Sequence, residues 1–159
     1  MRYKETLDIL IKYIQEEEYK GYDLYDTLNS PFISKKFGNM FSVLSIQFQK
    51  RNPLNIRPLL GIRKDYNPKA MGLFLSAFSR LYKITKDDRY LNDAKFFFNW
   101  LKENYSKGYS GYCWGYNFPW ASRGKYINKF SPTSVVTSFV CNGIFEYHSI
   151  TGDESAKEI

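Results

Sequence analysis

With 159 residues the chain can build one hydrophobic core. A hydrophobic content of 43%, an aromatic content of 19%, six Pro and ten Gly exclude a disordered or collagen-like chain. A net charge of +7 favours anionic partners such as nucleic acid, acidic glycan or anionic lipid. Lys and Arg are scattered, however, and no RRM or zinc-finger signature occurs, so a generic basic surface is the simpler reading and nucleic acid is not an expected partner. Cys113 and Cys141 form no CxxC pair, which argues against a zinc framework or disulfide scaffold and for reduced thiols in a cytoplasmic protein. The N-terminus lacks the apolar core of a signal peptide, and no run is long and apolar enough for a membrane span.

The first predicted helix runs from Arg2 to Tyr19, with Tyr3, Leu7, Leu10, Ile11 and Ile14 on its apolar face. Gly21 ends it, and the turn-rich segment KGYDLYDTLNSP follows. A second helix is expected over Lys35 to Arg51, with Phe37, Phe41, Leu44 and Phe48 buried. The connector RNPLNIRPLLGIRKDYNP carries three prolines and cannot be one helix. Asn67 and Pro68 form a cap-then-proline start for a third helix, which buries Leu73, Phe74, Ala77, Phe78, Leu81 and Tyr82. A fourth begins near Asp87 and Asp88 and buries Leu91, Ala94, Phe97, Phe98 and Leu101. A fifth starts at Ser131-Pro132 and reaches about Ile150, with a turn at Gly152 and Asp153.

The later segments repeat earlier ones. LYKITKDDRY (Leu81 to Tyr90) aligns with YHSITGDESA (Tyr147 to Ala156) at an offset of 66, matching Ile84 to Ile150, Thr85 to Thr151 and Asp87 to Asp153. Helix, tight turn, helix and long loop, repeated over 68–105 and 132–159, mark an array of α-hairpins. ESAKEI is too short to cover the fifth helix. The expectation is an all-α chain forming one incomplete domain over 1–159, about two and a half hairpins, with further hairpins C-terminal to Ile159.

Between the fourth and fifth helices lies GYSGYCWGYNFPWASR, Gly108 to Arg123, with six aromatic residues in sixteen. Gly108, Gly111, Gly115 and Pro119 keep it from being a regular helix. Such a loop is either a buried plug or a stacking surface. Together with KGYDLYDTLNSP, NIRPLLGI and YNPKAMGLFLSAFSRLYKITKDDRYL, it resembles the α/α-toroid proteins of the six-hairpin glycosidase superfamily. The resemblance is closest to a group associated with bacterial and archaeal surface-polysaccharide biosynthesis, and it covers about Lys20 to Ile159. It implies part of an (α/α)6 toroid with a sugar-binding cleft at one end of the ring and carboxylate chemistry. Hydrolases, lyases and epimerases all occur on that fold. The implied partner is an oligo- or polysaccharide, acidic ones included.

Sugar rings offer C–H faces to aromatic side chains and hydroxyls to polar groups. The candidate binding residues in the aromatic loop are Tyr112, Trp114, Tyr116, Asn117 and Trp120, with Arg123 able to hold a carboxylate or phosphate. The candidate catalytic residues are Asp23 and Asp26, flanked by Tyr22 and Tyr25, because paired carboxylates can divide acid and base roles. Turn-forming hydrogen bonds are the structural alternative for both. Arg57 and Arg63 in the connector either bind an anionic sugar or pair with Asp65 and helix ends. His148 reads as a packing residue. No metal site, no cofactor and no glycine-rich phosphate loop is expected.

If helices simply alternate in direction, the Asp23–Asp26 loop and the aromatic loop fall on opposite faces. They meet only if the connector Asn52–Asn67 crosses the domain. Two functions compete: a carbohydrate-active enzyme, and a non-catalytic glycan-binding or assembly protein. A terpene-cyclase-like toroid fits an aromatic pocket too, but no aspartate-rich motif supports it.

Overall fold

The computed structural model describes residues 2–33 and 38–159. Among them the chain is all-α in class, with helices α1 (Arg2–Glu16), α2 (Asn39–Arg51), α3 (Pro68–Thr85), α4 (Asp88–Glu103) and α5 (Ser134–Thr151). Short 3-10 helices occupy Asp26–Asn29 and Glu154–Glu158. A small antiparallel ribbon pairs β1 (Trp120–Ala121) with β2 (Tyr126–Ile127). No helix among the described residues is long and apolar enough to cross a membrane.

Helix starts follow side-chain caps. Asn67 Oδ1 accepts from the Lys69 N–H at 3.0 Å, and Pro68 takes the first helical position of α3. Asp87 Oδ1 accepts from Arg89 N–H at 3.0 Å and opens α4. The start of α5 differs from the expected Ser131-Pro132. Thr133 is the cap, accepting from Val136 N–H at 3.2 Å, while its own N–H donates to the Trp114 carbonyl. That bond ties Thr133 to the aromatic loop and leaves Pro132 outside the helix.

The ends of α3 and α5 share one set of bonds at the offset of 66. Thr85 and Thr151 each donate to the carbonyl four residues back and accept from the N–H of Asp87 or Asp153. Lys86 and Gly152 follow with left-handed backbone, φ 58° and 71°, and Asp87 and Asp153 cap the next element. After Asp153 that element is only the short 3-10 helix.

The main core lies where α3, α4 and α5 meet, with Met71, Leu75, Phe78, Phe97, Leu101, Val140 and Trp114 buried within it. Helices α3 and α5 run parallel. Gly72 lies against Val140 and Gly143, and further along both helices Ser76 and Arg80 bind Glu146. The approach is close enough that a Cβ on Gly143 would sit 2.3 Å from the Gly72 carbonyl oxygen. This contact rotates α3 from the expected stripe: Leu73 and Ala77 face out, while Met71, Leu75 and Phe78 face in. The α4 stripe is as expected, with Ala94, Phe97, Phe98 and Leu101 buried and Leu91 half-buried.

The first two helices depart further. Helix α1 stops at Glu16 because Glu18 and Tyr19 take left-handed backbone, φ 52° and 60°. The turn sends the Tyr19 ring into the core against Phe97, 4.8 Å between centroids, with its hydroxyl on Asp93. Only Ile11 of the α1 stripe is buried, whereas Tyr3, Leu7 and Leu10 are exposed. In α2 the expected face is inverted. Phe41, Leu44 and Phe48 are exposed, and Ser42, Ile46 and Gln49 are buried. Ile46 packs with Leu28 and Ala121 in a second, small core, and that contact sets the rotation of α2. Lys35 and Phe37 lie outside the described residues.

Candidate functional site

The connector crosses the domain. Gly21 and Asp65 exchange backbone hydrogen bonds at 3.2 and 3.1 Å, laying the segment after α1 against the segment before α3. The Asp23 loop therefore stands at the start of α3. The aromatic loop reaches the same place: Asn29 Nδ2 donates to the Asn117 carbonyl at 3.2 Å. Both candidate segments share one face.

The two carboxylates have different surroundings. Asp26 is 4% exposed and accepts from Arg57 Nε at 2.9 and 3.1 Å and from Asp23 N–H at 3.0 Å. Arg57 Nη2 donates to the Asp23 carbonyl at 2.8 Å. Burial pushes the Asp26 carboxyl above its ordinary value, while Arg57 pulls it back. Both side chains are committed to each other. Asp26 is a structural anchor, and Arg57, with its side chain 12% exposed, has no free face for a substrate anion. Asp23 is half-buried, with Oδ1 accepting from Tyr25 N–H at 2.9 Å and Oδ2 from Asn67 Nδ2 at 3.1 Å. Asn67 thus caps α3 through its oxygen and orients Asp23 through its nitrogen. Its value as a cap was legible in the sequence; its grip on Asp23, 44 residues away, was not.

The aromatic loop divides into plug and wall. Trp114 is fully buried, its Nε1 donating to the Leu101 carbonyl at 3.0 Å. Its backbone is clasped by Thr137 Oγ1, which accepts from Trp114 N–H and donates to its carbonyl. Gly115 is required here, since a Cβ would meet the Ser131 carbonyl oxygen at 1.9 Å. Tyr112 packs between Tyr105 and Trp114 on the core side. Trp114 and Tyr112 are therefore plug, not binding surface. Arg123 is exposed on the four-residue link between β1 and β2 and lines neither cavity described below.

Tyr116 and Trp120 face a cleft of about 650 Å³, joined by Tyr22, Tyr25 and Phe118. Tyr116 stacks on Phe118 with centroids 5.0 Å apart. Burial, with Asp23 and Tyr25 nearby, pushes the Tyr116 hydroxyl above its ordinary pKa. Among the described residues Asp23 is the one carboxylate lining this cleft and Lys69 the one cation, and Asn128, Ser131 and Thr133 add polar groups. A second cavity of about 400 Å³ shares Tyr22 and Asp23 and continues to Asp26, Asn29, Arg63, Asn67 and Asn117. Asn117 is 5% exposed, and its side-chain oxygen has no hydrogen-bond partner. Tyr25, Lys69 and Phe118 are wall residues that periodicity did not single out.

Elsewhere, His148 Nδ1 lies 3.0 Å from the Asp153 carbonyl at the α5 turn. Cys113 and Cys141 are unpaired with each other. Among the described residues no three His, Cys, Asp or Glu side chains converge as a metal site. The face containing Asp23 and the five rings can stack a planar-faced ligand and hydrogen-bond its hydroxyls. Among the described residues it presents one carboxylate, not a pair. Compared with protein-family models, with curated proteins and with solved structures, the chain matches none.

Proposed function

We propose that this chain binds an oligo- or polysaccharide in the aromatic cleft, as part of a carbohydrate-active α/α-toroid protein of polysaccharide metabolism or biosynthesis. One observation carries the reading. Rings from two segments distant in sequence, Tyr22 and Tyr25 on one side and Tyr116, Phe118 and Trp120 on the other, wall one cleft around Asp23. Aromatic faces and a few fixed polar groups are what a sugar ring needs. The parallel α3 and α5 in direct contact, with α4 linking them in chain order and packed on α3, support the toroid.

The enzymatic form of the proposal, a hydrolase, lyase or epimerase, rests on Asp23 as the acting carboxylate. A hydrolytic pair made of Asp23 and Asp26 has no support, because Arg57 neutralises Asp26. That same observation favours a second reading, in which the cleft binds or assembles glycan without chemistry.

Isothermal titration calorimetry with neutral and acidic tetrasaccharides tests the proposal. Trp120→Ala and Tyr116→Ala are expected to weaken binding at least tenfold while leaving the circular dichroism spectrum unchanged. Wild-type affinity in both variants, or no binding of any glycan to the parent, would refute it. Turnover lost in Asp23→Asn separates the enzymatic form from the binding form.

A further inference from the structure

We infer that the glycan in this cleft carries an anionic substituent and that Lys69 is the residue that recognises it. The inference rests on the glycan reading above and adds the chemical class of the ligand. Lys69 sits in the first turn of α3, half-buried, lining the cleft. Its ammonium lies 4.4 Å from the centroid of the Phe139 ring on α5, which supports the side chain without neutralising it. Among the described residues no carboxylate lies within ion-pair distance of Lys69. Seven other described lysines, Lys4, Lys50, Lys83, Lys86, Lys95, Lys107 and Lys125, also lack an ion pair, but none of them lines the cleft.

The cleft's one carboxylate does not cancel this charge by contact. Asp23 already has both oxygens engaged, by Tyr25 N–H and by Asn67 Nδ2. Two 18-residue helices, α3 and α5, also begin at the cleft, through Lys69 and through Thr133 and Val135. Their N-terminal ends add positive potential at the same place. A cation held part-way out of water against the Phe139 ring, with no protein anion in contact, is complementary to an anionic group on a stacked sugar. A neutral sugar would leave that charge unmatched.

The test uses tetragalacturonate, its carboxyl-reduced tetrasaccharide and a sulfated form of the reduced compound, titrated against the whole chain. The parent is expected to bind at least one anionic form about tenfold or more tightly than the reduced form. Which anionic form binds identifies the group, carboxylate or sulfate. Lys69→Met should abolish the preference, and Lys69→Arg should keep much of it. Lys83→Met removes the same charge from the far end of the same helix, roughly 21 Å away at 1.5 Å per residue, and should leave the preference intact. Equal binding of reduced and anionic forms would overturn the inference while the glycan reading stands. A preference that survives Lys69→Met, or that Lys83→Met reduces equally, would also overturn it. Failure of all three probes to bind would remove both.

Discussion

Arg57→Ala should be among the most damaging single substitutions near the cleft, and its cost should depend on pH. The substitution strands Asp26, whose side chain is 5% exposed, without its cation. A stranded buried carboxylate takes up a proton rather than remain charged. From an ordinary value of 3.8, holding it neutral at pH 7 costs about 4 kcal/mol, at 1.36 kcal/mol per unit. That sets a ceiling on the charge penalty, and loss of the Arg57–Asp23 carbonyl bond adds about 1 kcal/mol. The expected total is about 3–5 kcal/mol, in line with other broken buried ion pairs. For a chain of this size the melting temperature should fall by about 6–20 °C. The sign of the pH dependence follows from the raised value in the variant. The folded state then holds a proton the unfolded state has lost, so stability falls as pH rises from the unfolded value towards the folded one. At pH 5 the ceiling is only about 1.6 kcal/mol. Urea unfolding followed by far-ultraviolet circular dichroism should therefore show a smaller deficit at pH 5 than at pH 7. Adding Asp26→Asn removes the stranded charge, keeps an acceptor for Asp23 N–H, and should restore at least half the loss at pH 7. A deficit below about 1 kcal/mol at pH 7, or one equal at both pH values, would refute the anchoring role.

Trp114→Leu should cost about 3 kcal/mol, from the vacated volume and the lost bond to Leu101, whereas Trp120→Leu, at a site 38% exposed, should change the thermal midpoint little; equal losses in the two melts would contradict the division into plug and wall. Asn67→Ala should cost about 1 kcal/mol through the lost cap. Asn67→Asp keeps the cap oxygen but opposes a carboxylate to Asp23 across a 3.1 Å contact, so its melt should recover relative to the parent as pH falls and one of the two takes up a proton. Arg80 and Ser76 hold the Glu146 carboxyl below its ordinary 4.5, so its contribution is present above that value and is lost as pH falls below it. Glu146→Gln should accordingly flatten the acid side of the thermal-stability profile, and an unchanged acid slope would show that the pair with Arg80 contributes nothing.

Much of the local architecture is legible in the chain itself. Asn67-Pro68 reads as a helix start because an amide oxygen and a missing N–H suit the first turn wherever they occur. The Thr85 and Thr151 turns match because each is closed by bonds within six residues. The α4 stripe is legible because one side of that helix meets a single continuous core. Periodicity fails for α1 and α2 for the opposite reason. It marks a face as apolar without saying which partner claims it, and in α2 the contact of Ile46 with Leu28 and Ala121 turns the more apolar face outward.

The candidate site divides along the same line. From the sequence alone the chain is all-α, with an aromatic loop that glycines and a proline keep out of helix and two carboxylates set among tyrosines. The tertiary structure decided which of these similar residues meet. Asp23 and Asp26 look equivalent until Arg57, 31 residues further on, closes on one of them and leaves the other in the cleft. Trp114 and Trp120 look equivalent until the end of α4 offers a carbonyl to the first and the β-ribbon holds the second at the cleft wall. Short-range bonds are written in neighbouring residues, but burial and pairing depend on chain crossings. The Gly21–Asp65 crossing brings the two halves of the cleft together.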